Sequence, residues 1–195
     1  MSASGPEVRC YGLPAVTHVG TRPLSERGAC QDAYPVGVPR LSEYYHDPHA
    51  PLANSLAPTS FAVVRNAQGR VLLVQRIDTR NWELPGGKVN FGESALDTVV
   101  REVNEEAGIL ITVTGLAGIY TDPGHVMAYS NGEVRQQFAM CFHATPLRGD
   151  PRPDHEETIN AEWVEPGALD TLPIHPSMQL RLSQAMKRPE QVHLI

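Results

Sequence analysis

Residues 84–109 read Leu84-Pro85-Gly86-Gly87-Lys88-Val89-Asn90-Phe91-Gly92-Glu93-Ser94, followed by Ala95-Leu96-Asp97-Thr98-Val99-Val100-Arg101-Glu102-Val103-Asn104-Glu105-Glu106-Ala107-Gly108-Ile109. The second half has a helical pattern. Leu96, Val99, Val100, Val103 and Ala107 recur at the spacing of one buried stripe, and Gly108 suits a left-handed C-cap. Glu102, Glu105 and Glu106 stand at i, i+3 and i+4. At about 100° per residue they leave one side of the helix together, away from the stripe around Val103. Like charges at this spacing repel by a few tenths of a kcal/mol per pair. A solvated acidic face is one reading. A hard divalent cation is the other, because Mg²⁺ takes carboxylate oxygens, water and substrate phosphates as ligands. The preceding loop favours the cation. Gly86 and Gly87 let backbone approach a ligand without a Cβ in the way. Glu93 lies where the unpaired amides of a helix start favour a carboxylate, and it can pair with Arg101 to hold the row in register.

Working outward, SFAVVRNAQGRVLLVQRI from Ser60 reads as two β-rich runs around the turn Asn66–Gly69, a hairpin pattern. After the helix, ILITVTGLAGIY, EVRQQFAMCFHAT and INAEWVE read as strands, LRGDPRPDHEETIN as a polar loop, and PSMQLRLSQAMKR as a closing helix. Strands mixed with two helices predict an α/β domain over residues 59–190. Residues 1–58 hold eight of the 17 prolines and predict an arm without long helices. Short strands are expected there around Val16–Val19 and Tyr34–Val38. Such an arm either hangs loosely, covers the ligand site or clasps a second subunit, and Tyr44, Tyr45, His46 and Asn54 are the residues with the chemistry to reach a site.

The chain has 195 residues, 41% of them hydrophobic and 19% charged, enough to bury a core. Lys plus Arg number 16 against 22 Asp plus Glu, for a formal charge of −6. That argues against a protein that coats nucleic acid, but not against a small phosphorylated ligand. Cys10, Cys30 and Cys141 form no CxxC pair, so a reduced, cytoplasmic setting is expected. Neither a secretory signal nor a membrane-spanning run is legible.

The spacing Gly87, five residues, Glu93, seven residues, Arg101-Glu102-Val103, one residue, Glu105-Glu106, one residue, Gly108-Ile109 resembles the Nudix hydrolase signature GX5EX7REUXEEXGU at every fixed position. The resemblance implies an α/β/α sandwich around a mixed sheet, and hydrolysis of a pyrophosphate linkage in a nucleoside diphosphate derivative with Mg²⁺ or Mn²⁺. It implies Glu102, Glu106, often Glu105, and the carbonyl of Gly87 as metal ligands, with Arg101 and Glu93 as an orienting salt bridge. Family members are often dimers, so a homodimer is an expectation by analogy.

The signature leaves the base and the substrate open. Either Glu105 or a carboxylate of the later Asp154-His155-Glu156-Glu157 run, Glu157 or Glu156, takes the proton from water. Pro123, fourteen residues beyond Ile109, resembles the proline of the ADP-ribose pyrophosphatase subgroup. Arg76, Arg80 and Arg135 are candidate phosphate contacts, since guanidinium grips phosphate oxygens as a planar fork. Trp82 either stacks on a base or caps the core. His125, His143 and His175 are expected to be structural or surface residues, with no histidine assigned to metal, and Trp163 is expected against the last helix. An ADP-ribose-like substrate is favoured. The alternatives are a nucleoside triphosphate pyrophosphatase releasing pyrophosphate, a non-catalytic nucleotide sensor, and a specialised enzyme of secondary metabolism.

Overall fold

A computed structural model describes residues 41–195. The chain order is β1 (Leu41–Tyr45), β2 (Ser55–Val64), β3 (Val71–Arg76), β4 (Trp82–Glu83), β5 (Gly86–Lys88), α1 (Ala95–Ala107), β6 (Leu110–Tyr120), β7 (His125–Tyr129), β8 (Val134–Arg148), β9 (Thr158–Val164), a 3-10 turn (Pro166–Thr171), α2 (Pro176–Lys187) and β10 (His193–Leu194). The larger sheet is mixed. It runs β1-β7-β8-β2-β5, with β6 also paired to β8 and β10 to β6. β2 lies parallel to β8 over ten residue pairs, from Ser55↔Arg135 to Val64↔Ala144, whereas β5 and β6 pair antiparallel to β2 and β8. A smaller antiparallel sheet runs β4-β3-β9.

Side-chain alternation explains the layering. Phe61 and Val63 of β2, with Val71 and Leu73 of β3, join a core that includes Met178, Leu182 and Ala185 of α2. Ala62 and Val64, with Leu72 and Val74, join a second core that includes Val99, Val103 and Ala107 of α1. Successive residues of a strand point to opposite faces, so the two helices cover opposite sides of these strands. The runs Phe61–Val64 and Val71–Val74 are therefore apolar without interruption, as segments buried on both faces must be.

This arrangement corrects the hairpin reading. The turn forms, with the Gly69 N–H donating to the Asn66 carbonyl at 2.9 Å, but β2 and β3 share only the bridge Arg65↔Val71 before they part into different sheets. Of the stretch expected to be an arm, residues 41–45 pair with β7 and residues 55–58 open β2. The strands expected at Val16–Val19 and Tyr34–Val38 lie outside the described residues. Trp163 packs against the α1-side core, not against α2, because it alternates away from the neighbouring Val164. Among the described residues no helix is long and apolar enough to cross a membrane.

Double-sided burial gives a direct test. Leu72→Ala and Leu73→Ala each remove a fully buried side chain, one from each core, and each should cost about 2–5 kcal/mol in urea unfolding. A strand with one solvated face would register only one of the two.

Candidate active site

Helix α1 starts at a capping box. Ser94 Oγ accepts the Asp97 N–H, and the Asp97 carboxylate accepts the Ser94 N–H. It ends at Gly108, whose φ of 68° is left-handed, a conformation glycine adopts without a Cβ penalty. These ends fix the rotation of the carboxylate row. Glu93, just before the helix, takes Arg101 Nε at 2.6 Å and Nη2 at 2.9 Å. These bonds from Arg101 hold the Glu93 carboxyl down to about 2. Arg101 Nη1 lies 2.9 Å from both Glu102 Oε1 and Glu105 Oε2. One guanidinium thus ties together three carboxylates that would otherwise spread apart.

The three glutamates differ sharply in exposure. Glu105 is open to solvent, Glu102 is largely covered, and Glu106 is 2% exposed. Glu106 Oε2 accepts the Gly86 N–H at 2.8 Å, but Oε1 is buried without a hydrogen-bond partner among the described residues. Arg76 Nη1 stands 3.7 Å from that oxygen, too far for a hydrogen bond. Burial, and then the Glu83 charge, push the Glu106 carboxyl well above its ordinary range despite Gly86 and Arg76. Burial also raises Glu102, against the pull of Arg101. Gly87 faces this group so closely that a Cβ there would overlap the Glu102 carboxylate.

This chemistry fits a hard divalent cation. The donors are oxygens, one buried carboxylate oxygen is unsatisfied, and glycine leaves room beside a second carboxylate. The family resemblance implies such an ion; Glu102, Glu105, Glu106 and the Gly87 carbonyl are the groups here with the chemistry to hold it.

The later loop is pinned to the same helix. Asp154 Oδ1 accepts the N–H groups of Glu156, Glu157 and Thr158 at 2.9–3.1 Å, and Thr158 Oγ1 donates to the Glu106 carbonyl at 3.0 Å. Glu157 pairs with Arg76 Nη1 at 3.0 Å. Arg76 also meets Asp78 at 3.0 Å and Glu83 at 3.5 Å. Burial works against its charge, but these carboxylates outweigh it and raise the guanidinium's pKa.

These groups border a cavity of about 480 Å³. Arg76, Trp82, Arg135 and Glu157 line it together with Gly87, Arg101, Glu102 and Glu105. Trp82 caps the α2-side core, as one of its two readings has it, and also borders the cavity. Arg135 lies over the Tyr129 ring at 4.8 Å and is forked by Glu133. Arg80 and Pro123 are not brought to the cavity. Arg80 sits at a left-handed turn position (φ 62°) and projects into solvent, so its neighbours Thr79 and Asn81 form the wall. Pro123 is exposed in the turn between β6 and β7. Glu156 also stays off the wall.

A second set of lining groups comes from β1, β7 and the start of α2: Glu43, His125, His175, Ser177 and Arg181. This corrects the expectation for His125 and His175, which face the cavity and share the Glu43 carboxylate at 2.6 and 3.0 Å. Tyr44, Tyr45, His46 and Asn54 do not line it, and Glu43 is what their stretch contributes. No local pattern marks Glu43; only the β1–β7 register, Glu43↔Met127 and Tyr45↔His125, sets it beside His125.

Burial also pushes the Glu83 carboxyl up to about 7, with Glu43 and Asp78 adding to the effect against Arg76. In metal-free protein the fold therefore keeps a proton that the unfolded chain releases near 4.5. Because the folded state binds more protons in this window, its stability falls as pH rises from about 4.5 to about 7. Thermal melts of chelator-treated protein should give a lower Tm at pH 8 than at pH 5, and Glu83→Gln should shrink that difference. An unchanged difference in Glu83→Gln would contradict the assignment.

A NUDIX domain profile matches residues 56–184. Over 110 residues the chain is 34% identical to a Bacillus subtilis (strain 168) protein provisionally named an 8-oxo-dGTP diphosphatase, covering 56% of this chain and 67% of that one. Over 67 residues it is 37% identical to the ADP-ribose pyrophosphatase of Methanocaldococcus jannaschii, covering 30% of this chain and 40% of the relative. The crystal structure of an ADP-ribose pyrophosphatase from Streptococcus suis shares the fold, with a TM-score of 0.57 at 21% identity over 71% of this chain and 98% of that one. The loop and helix from Gly87 to Ile109, set in this mixed sheet and within the matched span, place the chain in the Nudix family of enzymes acting on pyrophosphate bonds.

Proposed function

We propose that this enzyme hydrolyses the pyrophosphate bond of a nucleoside diphosphate derivative, with an ADP-ribose-like compound as substrate. The observation that carries this reading is one cavity of about 480 Å³ bordered both by the Arg101-braced carboxylates and by a separate polar group at Glu43, His125 and Arg181. That volume suits a small-molecule ligand, and a substrate with polar groups on both sides of its diphosphate uses both sets. The names of the relatives divide between this class and nucleoside triphosphates.

In this reading Glu102, Glu105, Glu106 and the Gly87 carbonyl hold Mg²⁺ or Mn²⁺, and Arg101 and Glu93 keep them in register. Such an ion neutralises phosphate charge and lowers the pKa of a bound water. Glu157 accepts the proton of the attacking water. It is the carboxylate of the Asp154–Glu157 run on the cavity wall, the Asp154 turn fixes it, and Arg76 orients it. Water oxygen bonds to one phosphorus as the bridging P–O bond breaks, so ADP-ribose yields AMP and ribose 5-phosphate. Arg135 meets phosphate oxygens, and the edge of Trp82 packs on the nucleoside.

The test is a panel of ADP-ribose, dGTP and 8-oxo-dGTP with Mg²⁺, products separated by chromatography. AMP formed from ADP-ribose, with little pyrophosphate from the triphosphates, is expected; dominant pyrophosphate release would transfer the assignment to a triphosphate pyrophosphatase. Glu157→Gln should lower kcat about 10²–10⁴-fold, the range of a lost general base, with Mg²⁺ affinity retained. Glu105→Gln should instead weaken Mg²⁺ binding. A full kcat loss in Glu105→Gln with unchanged Mg²⁺ affinity would make Glu105 the base.

A further inference from the structure

We infer that Glu43, His125 and His175 form a second divalent-metal site, selective for a zinc-type ion and distinct from the signature carboxylates. The three come from β1, β7 and the residue before α2, and their ligand atoms all lie within 4.8 Å of one another. All three line the cavity, so an ion has access. A tetrahedral ion with three protein ligands at about 2.0–2.2 Å keeps a fourth position, for which the cavity that these three residues line has room.

The same three groups hydrogen-bond to one another, at distances that an ion between them would widen. Glu43 Oε1 sits 2.6 Å from His125 Nε2 and 3.0 Å from His175 Nδ1. Each nitrogen must be a donor for those contacts to be attractive. Yet His175 is the N-cap of α2, and its Nδ1 accepts the Ser177 N–H at 3.4 Å while lying 2.8 Å from Ser177 Oγ. One imidazole nitrogen cannot donate to Glu43 and accept the Ser177 N–H at once. A cation held by all three atoms removes the need for a donor at Glu43, and its bond to Nδ1 takes the place of the long Ser177 N–H contact. Burial also lowers the His175 pKa, which favours the neutral ring that metal binding requires.

The other groups facing this cluster are Arg181, Glu83 and the Tyr45 ring. Arg181, 2% exposed, carries positive charge toward Glu43; Glu83 and Glu43 offset it. Two imidazoles with one carboxylate suit Zn²⁺ or Co²⁺ and are poor ligands for Mg²⁺. The two metal sites therefore differ in ligand softness as well as in the elements that build them. The inference stands apart from the identity of the hydrolysed substrate.

Co²⁺ is the probe, added to the full chain with Mg²⁺ in excess to occupy the carboxylate face. The visible bands of a tetrahedral nitrogen-ligated Co²⁺ are expected at one equivalent in the wild type. They should persist in Glu102→Gln/Glu106→Gln, weaken in Glu43→Gln and vanish in His125→Asn/His175→Asn. X-ray absorption of the wild type with one equivalent of Zn²⁺ should show two imidazoles in the shell, which decides the matter even where the histidine variant fails to fold. Absence of the bands in the wild type, their retention in the histidine variant, or a shell of oxygens alone would overturn the site. None of these outcomes alters the products of the nucleotide panel, so the two readings fail separately.

Discussion

The arrangement depends on keeping like charges together before any cation arrives. Glu93, Glu102 and Glu105 all lie within reach of the Arg101 guanidinium, and that fork supplies the attraction that offsets their repulsion. Glu106 is held differently. It lies in the interior, tied by one backbone N–H from Gly86 and faced by Arg76 at a distance. Burial there disfavours the charged form and raises the Glu106 carboxyl, because a buried polar oxygen without a bond is costly.

The sheet resolves the rest of the geometry. β2 carries Ser60 and Phe61 beside Gly86 and Gly87 through the β2–β5 register, which brings the glycine loop up to the end of α1. β9 and its preceding loop come in through β3, and Thr158 ties them to the Glu106 carbonyl. The residues that matter chemically are thus fixed by backbone pairing on one side and by helix caps on the other. The loops between them need little freedom.

What was legible in the chain follows the range of the interactions. The α1 stripe, the Gly108 cap and the Glu93–Arg101 pair are separated by at most fourteen residues, and local periodicity states them. The fold class followed from the same stretch. β1 pairing with β7 brings residues about 80 apart into register, and no local pattern carries that information. The hairpin reading failed for a related reason. An apolar run with a good turn is compatible with pairing to its neighbour or with burial on both faces, and only the partners β8 and β9 decide. Arg80 and Pro123 have suitable chemistry, but a left-handed turn and an exposed loop point them elsewhere.

The histidines show where residue chemistry alone misleads. Eight of them scattered along the chain carry no spacing signal, and each one singly reads as a core or surface residue. Folding places two of them, their rings nearly parallel with centroids 5.7 Å apart, against one carboxylate from a strand expected to be an appendage. Imidazole and carboxylate gathered from three separate elements must compensate each other's desolvation, and a shared hydrogen-bonded oxygen does so only in part, because the cap of α2 competes for one nitrogen. The same cavity therefore presents two groups assembled by opposite means. One is a run of carboxylates written into a single helix and braced by arginine; the other is a convergence of distant residues around one shared carboxylate oxygen.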